Sequence, residues 1–360
     1  MKIFAINPGS TSTKLALYDG DKCLWVDTQR YDINVIEKYK TIIDQEQFRY
    51  DEICKVLEAK GVRPKDLAAV VGRGGLMKPI KSGVYDVNAT MLEDLRSMKY
   101  GAHASNLGAL LADLFASAAS FGSGKQVPSF IVDPVVVDEL ADEARISGLP
   151  EMPRVSVFHA LNQKAVARRA AADLKKSVPE CNLIVTHMGG GVSVGAHERG
   201  RVIDVNNALD GEGPMSPERS GSLPMGALAA ACFSGKYTLD EIKSKINGKG
   251  GFVAHLGTND MREVEKRIAD GDAQASLVLE AMALQVAKEI GGCAAVLKGK
   301  VDAIALTGGL AHSEKLCELI TSRVSFIAQV LRYPGEDEME ALSLGVLRVL
   351  RGEEAARQYE

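Results

Sequence analysis

Two segments of this chain carry the same pattern half a chain apart. Residues 3–18 pass from an apolar strand through Asn7-Pro8-Gly9-Ser10-Thr11-Ser12-Thr13-Lys14 into a second apolar strand. The strand Asn182-Leu183-Ile184-Val185-Thr186 does the same through His187-Met188-Gly189-Gly190-Gly191, with a further strand at Arg201-Val202-Ile203-Asp204. Gly9 and Gly190 lie 181 positions apart in 360 residues. A period that long indicates a duplicated domain, since solenoid repeats are far shorter. Strands alternate with helical patterns throughout, which predicts α/β layers. Helices are expected over 45–60, 88–98, 105–120, 162–176 and 272–298, and Thr238-Leu239-Asp240-Glu241 fits a capping box. Further strands are expected over 67–71, 128–132, 183–186 and 301–306, the last two apolar throughout as buried parallel strands are. Residues 148–153, Gly-Leu-Pro-Glu-Met-Pro, are the expected linker between halves at 1–150 and 151–345, with a C-terminal helix at about 345–360 expected back on the first half.

The repeated element suits anion binding. Gly9 permits a tight bend, and the hydroxyls of Ser10, Thr11, Ser12 and Thr13, the backbone amides and the Lys14 ammonium could then converge on one small anion. A plain hairpin turns in two residues, so an eight-residue polar loop exceeds what turning requires. A third glycine element, Thr307-Gly308-Gly309-Leu310-Ala311-His312-Ser313, joins a strand to a helix starting near Glu314. Taken alone it reads as a tight strand-to-helix turn. No glycine run ends in Gly-Lys-Ser/Thr and none has the Gly-x-Gly-x-x-Gly spacing, so neither a Walker loop nor a dinucleotide fold is present.

Composition narrows the classes. A net charge of −4 without a long basic run argues against a nucleic-acid partner. The apolar run at 227–233 is too short to span a membrane. Met1-Lys2 leads directly into a strand without a signal-peptide pattern. Six cysteines stand singly in apolar stretches and read as buried thiols of a reducing cytoplasm.

Several longer motifs can now be read together: Asn7 to Lys14, Phe158-His159-Ala160-Leu161-Asn162-Gln163, His187 to Gly191, and Ser216-Pro217-Glu218-Arg219-Ser220-Gly221. They resemble the short-chain fatty-acid kinases, the acetate kinase family of the actin-like ATPase superfamily, over residues 3 to about 350. The resemblance implies an α/β fold of two duplicated ribonuclease-H-like (actin-like ATPase) lobes with a central cleft. It implies reversible, ATP-dependent phosphorylation of a short-chain carboxylic acid, with ATP/ADP and Mg2+ as cofactors. A homo-oligomer, dimer or higher, is implied as well. Carried over by residue, the catalytic groups are Arg73, His159 and Arg219, and the metal-site acids are Asp133 and Glu338. Nucleotide phosphates would meet Asn7, Gly9, Ser10, Ser12, Lys14, His187, Gly189, Gly190, Gly191, Gly308 and Gly309.

The residue types suit that chemistry. A carboxylate acceptor, with a pKa near ~4.3, is already ionised and needs no base. It must instead be brought to a polyanion, which requires cations, and arginine meets carboxylate and phosphate oxygens two at a time. Arg73 and Arg219 both stand among glycines; by resemblance Arg73 holds the acid's carboxylate and Arg219 the phosphoryl group in transfer. His159 would stabilise that group, His187 would serve the same anion, and His103, His197, His255 and His312 read as structural. In the acidic run Pro334 to Glu340, Glu338 is preferred to Glu340 as metal ligand. The alternatives are an acetate or propionate kinase, a sugar or polyol kinase using Asp133 as base, or an ATPase switch. Gly75 stands where the acetate-kinase pattern has a valine in the acyl pocket. With Phe158 as an apolar wall, a deeper pocket is expected, favouring butyrate and branched four- or five-carbon acids.

Overall fold

The computed structural model describes residues 1–360. Its chain divides into one unit of Met1–Val137 with Asp337–Glu360 and a second of Asp138–Glu336. Residues 148–153 lie inside the second unit.

In the first unit, β1 (Lys2–Pro8), β2 (Ser12–Asp19), β3 (Lys22–Arg30), β4 (Ala69–Arg73), β5 (Val84–Asp86) and β6 (Ser129–Val132) form one sheet. Its order is β3-β2-β1-β4-β6-β5. The β1–β2 and β2–β3 pairs are antiparallel, whereas β1–β4 and β4–β6 are parallel. Strand pleating sends alternate side chains to opposite faces. Phe4 and Ile6 therefore pack with Leu107, Leu111 and Phe115 of the helix Asn106–Ser123. The C-terminal helix Glu338–Leu350 also packs against β1, β4 and β6. Covered on both sides, Ile3, Phe4, Ala5 and Ile6 have no exposed surface.

The second unit repeats the plan with β7 (Asn182–Met188), β8 (Val192–Glu198), β9 (Arg201–Val205), β10 (Ala303–Gly308) and β11 (Val330–Pro334). Its order is β11-β10-β7-β8-β9, with β7–β8–β9 antiparallel and β7–β10–β11 parallel. Three antiparallel strands followed by two parallel ones thus occur in both units. Leu183, Val185, Ala303 and Ala305 face the helix Ala160–Asp173. Ile184, Ile304 and Leu306 face the helices Ala273–Val296 and Glu314–Val324. The long apolar helix begins where expected, with the Asp272 carboxylate accepting from Ala275 N. Thr238 and Glu241 form their reciprocal cap.

The cysteines depart from expectation. All six are free, but only Cys181, Cys293 and Cys317 are buried, and Cys23 and Cys232 are exposed. Cys23 lies on the edge strand β3, and Cys232 ends the helix Met225–Cys232, none of whose residues is buried. Hydrophobic neighbours in sequence do not bury a side chain on an edge strand or on a helix with no buried residue.

Candidate active site

The first glycine loop is shorter than its sequence suggests. Pairing continues to Asn7↔Lys14 and Pro8↔Thr13, leaving Gly9-Ser10-Thr11 as the turn. Gly9 N donates to Ser12 O at 2.8 Å. The turn is held from beneath by Arg49, a side chain with no exposed surface. Its Nη1 donates to Gly9 O at 2.8 Å, Ser12 O at 3.0 Å and Thr13 Oγ1 at 3.1 Å, and its Nη2 to Ser10 O at 2.8 Å. Gln45 Oε1 accepts from Nε and Nη2, and the guanidinium sits 5.0 Å from the Tyr31 ring centre. Burial lowers the Arg49 pKa. With its carbonyls drawn inward, the turn leaves Ser10 and Thr11 exposed. Sequence reasoning missed Arg49, although a signal existed: it shares the helical stripe of Ile53, Val56 and Leu57, where a leucine would be ordinary.

At the same end of this sheet, Glu338 joins two of the expected residues. Asn7 Nδ2 donates to Glu338 Oε2 at 2.6 Å, and Arg73 Nη1 meets Glu338 Oε1 at 3.0 Å. Glu340 is exposed and takes no part. Arg73 meets both carboxylate oxygens of Glu338 through Nη1. Asp133 follows β6 in a left-handed conformation, φ 39°, which aspartate tolerates better than most residues. Its Oδ1 accepts from Ser82 Oγ at 2.6 Å and Gly83 N at 2.8 Å. Neither unit gathers three His, Cys, Asp or Glu side chains into a metal centre. Asp133 and Glu338 are thus engaged separately, the first by Ser82 and Gly83 and the second by Asn7 and Arg73, and each carries the hard oxygen donors that a magnesium ion takes.

Gly75 does not open a pocket. A Cβ there would lie 2.5 Å from both Cα and Oδ1 of Asn106. Asn106 fills the space, donating to Gly101 O and accepting from Leu76 N at 2.8 Å. The side chain missing from position 75 is thus replaced by a neighbouring helix start, which sequence cannot show.

In the second unit, the turn Gly189-Gly190-Gly191 closes with Gly189 N donating to Gly191 O at 2.9 Å. Parallel pairing of β7 with β10 sets Thr307 beside His187. Gly308, at φ +89°, backs onto Met188 where a Cβ would collide, so Gly308 and Gly309 lie at the same sheet end as the turn. Arg219 covers Gly191 so closely that no Cβ fits beneath its guanidinium. Its Nε donates to Asn247 Oδ1 at 3.2 Å and its Nη1 to the Ala208 carbonyl. Ser216 Oγ accepts from Arg219 N at 3.0 Å and donates to Gly190 O, tying the arginine loop to the glycine turn. Burial lowers the Arg219 pKa, opposed by Glu218.

His159 caps the helix Ala160–Asp173 and stacks on His187, ring centres 3.8 Å apart and planes 16° from parallel. Nδ1 of His187 meets Asn162 Oδ1 at 2.9 Å, and its Nε2 lies 3.2 Å from Glu336 Oε1. Nδ1 of His159 meets Ser193 Oγ at 2.9 Å. Gln163 Nε2 donates to the same Oγ at 2.9 Å and to Ser193 O at 3.1 Å. Glu336 stands in the acidic run and Ser193 just after the glycine turn, but sequence assigned neither to the site, because strand pairing and chain reversal bring them in. Within this unit the expected His159, His187, Gly189, Gly190, Gly191 and Arg219 converge; within the first, Asn7, Arg73 and Glu338 do.

Known proteins resemble this chain throughout. The family described as the Acetokinase family matches residues 152–329. Butyrate kinase 1 of Clostridium acetobutylicum is 55% identical over 359 residues, covering 100% of this chain and 99% of the relative. Butyrate kinase 2 of the same organism is also 55% identical over 359 residues. Among solved structures, an acetate kinase from Porphyromonas gingivalis aligns with a TM-score of 0.77 at 19% identity, covering 97% of this chain and 99% of that one. A propionate kinase from Francisella tularensis aligns with a TM-score of 0.72 at 19% identity, covering 96% of this chain and 98% of that one. At such identities the two structures speak for the fold alone.

Proposed function

The chain belongs to the acetokinase family, and from that premise we propose that it transfers the γ-phosphoryl group of ATP to butyrate or a branched four- or five-carbon acid. The products are the acyl phosphate and ADP, and the reaction runs in both directions. The observation that carries this reading is 55% identity, end to end, with an enzyme named butyrate kinase.

The acceptor carboxylate attacks as the anion it already is, so the side chains position and neutralise rather than remove a proton. Arg73 holds that carboxylate through Nε and Nη2 while Glu338 fixes its Nη1. Arg219 and His159 stabilise the charge spreading over the phosphoryl oxygens. Asn7, Gly9, Ser10, Ser12 and Lys14 grip phosphate at the first turn, and His187, Gly189, Gly190, Gly191, Gly308 and Gly309 at the second. Asp133 and Glu338 would hold Mg2+, whose chemistry is to neutralise the nucleotide's phosphates. The six unpaired thiols favour the cytoplasm.

A second copy of the chain is the proposed partner. The segment around the helix Met225–Cys232 exposes Met225 at 76% and Phe233 at 92%, and apolar surface of this kind marks an interface. The enzymatic reading is tested by incubating the protein with ATP, Mg2+, hydroxylamine and acids of two to six carbons. Hydroxamate should form with butyrate. No hydroxamate from any acid would overturn the assignment.

A further inference from the structure

Beyond the groups assigned to phosphoryl transfer, a buried chain of hydrogen bonds runs away from His159 through Ser193 and Gln163 to His197. Its direction can be worked out from one fixed end. Gln163 lies near a backbone carbonyl, Ser193 O, at 3.1 Å. A carbonyl oxygen accepts only, so the nitrogen of the Gln163 amide, not its oxygen, must face it. The same nitrogen donates to Ser193 Oγ at 2.9 Å. Gln163 Oε1 is therefore turned toward His197 Nε2, 2.9 Å away, which must carry the proton. Burial, and Lys164 nearby, push the His197 pKa well down, consistent with a neutral ring. The amide has room because residue 195 is glycine; a Cβ there would collide with Gln163 Oε1.

Ser193 is wholly buried. Its Oγ receives the Gln163 N–H, and the remaining contact of the hydroxyl is His159 Nδ1 at 2.9 Å. A buried hydroxyl proton without an acceptor costs about 1–3 kcal/mol, so the proton is directed at Nδ1. We propose that Ser193 and Gln163 are positioning residues that fix His159 as the neutral tautomer with its proton on Nε2. The inference rests on the reading of His159 as a phosphoryl-transfer residue. It specifies that residue's role: His159 offers an N–H donor to a phosphoryl oxygen and neither takes up a proton nor acts as a base. His187, whose Nδ1 faces Asn162 Oδ1, is stacked beside it with its own nitrogen fixed separately.

Ring nitrogens of the protein labelled with 15N-histidine report the tautomer directly, with His159 assigned by its loss in His159→Asn. The unliganded wild type should show His159 protonated at Nε2 and not at Nδ1. In Ser193→Ala the Nδ1 acceptor role loses its donor, and a mixture including the Nδ1–H form should appear. In Gln163→Glu an ionised carboxylate accepts from Ser193, so the relay reverses and Nδ1–H should predominate. For both variants kcat should fall roughly 10–100-fold while KM for ATP and acid moves far less, as for an outer group that orients an inner one. A wild-type His159 protonated at Nδ1 overturns the proposal. So does a Ser193→Ala protein that loses activity with its tautomer unchanged, because Ser193 would then be merely structural. The tautomer is read without turnover, so it decides the relay even if no acid proved to be phosphorylated.

Discussion

Two arginines of similar appearance in sequence stand in different surroundings. Arg73 is half-buried and paired with Glu338, whereas Arg219 is largely enclosed, its donors meeting a backbone carbonyl and the Asn247 amide. An arginine whose hydrogen-bond partners are neutral keeps more of its field for an incoming charge than one paired directly with a carboxylate, even with Glu218 nearby, and that field matters most when charge spreads over the transferred group. Arg219→Ala should therefore reduce kcat far more than it raises KM for the acid, with a loss of about 2.7–4 kcal/mol in transition-state stabilisation. Arg73→Ala should raise KM for the acid first. Steady-state kinetics with both substrates varied separates the two; indistinguishable profiles would refute the division of roles. The two arginines were legible as candidates because an anionic acceptor and a polyanionic donor call for cations. Their partners were not, since Ala208, Asn247 and Glu338 reach them only through folding.

At the scale of elements, the first turn depends on a helix side chain forty positions away. Arg49 satisfies the carbonyls of Gly9, Ser10 and Ser12 at once, and removing it also strands the buried Thr13 hydroxyl and Gln45 side-chain carbonyl. Arg49→Met should lower stability by about 2–5 kcal/mol in denaturant unfolding and raise KM for ATP in the protein that remains folded. Arg49→Lys should be nearly as damaging, because three donors on a point charge cannot reproduce the planar fork. Stability and KM both at wild-type values in Arg49→Met would rule out the clamp. The glycine after β4 gives a second test. Since Asn106 occupies the space beside Gly75, Gly75→Val should cost about 1–3 kcal/mol or more through overpacking. It should not shift preference toward acetate. Thermal unfolding alongside a profile over acids of two to six carbons checks this; a stable variant that prefers acetate would restore the pocket reading.

For the whole molecule, acid preference and association are the properties that matter. Each buried methylene contributes about 0.8 kcal/mol, and discrimination by one methylene is commonly about 10–200-fold. The wild-type kcat/KM should accordingly be higher for butyrate than for acetate, and the reverse order would refute the acid assignment while leaving the kinase in place. Association has its own test. Phe233→Glu together with Met225→Glu places charge on the exposed apolar segment, where it would be buried by a second copy. Light scattering should show a homo-oligomer for the wild type and the mass of one chain for the double variant. A wild type of one-chain mass, or a double variant that stays associated, would exclude this surface as the interface.

The sequence by itself determined the α/β plan, the duplication and the family. Those follow from local periodicity and from turns such as Asn7 to Lys14 and His187 to Gly191, whose chemistry is written in consecutive residues. Sequence also placed the long helix after Asp272 and the cap at Thr238, because caps and apolar periods are short-range. It overstated the first loop, since pairing of Asn7 with Lys14 is a property of two strands together. Only the tertiary structure decided that Arg49 lies under that turn, that Asn106 fills the place beside Gly75, and that Ser193 faces His159. Each of those contacts joins residues at least 30 positions apart. Their identity depends on which helix packs on which strand at close-packed density, a choice made by the whole core and by no segment of it.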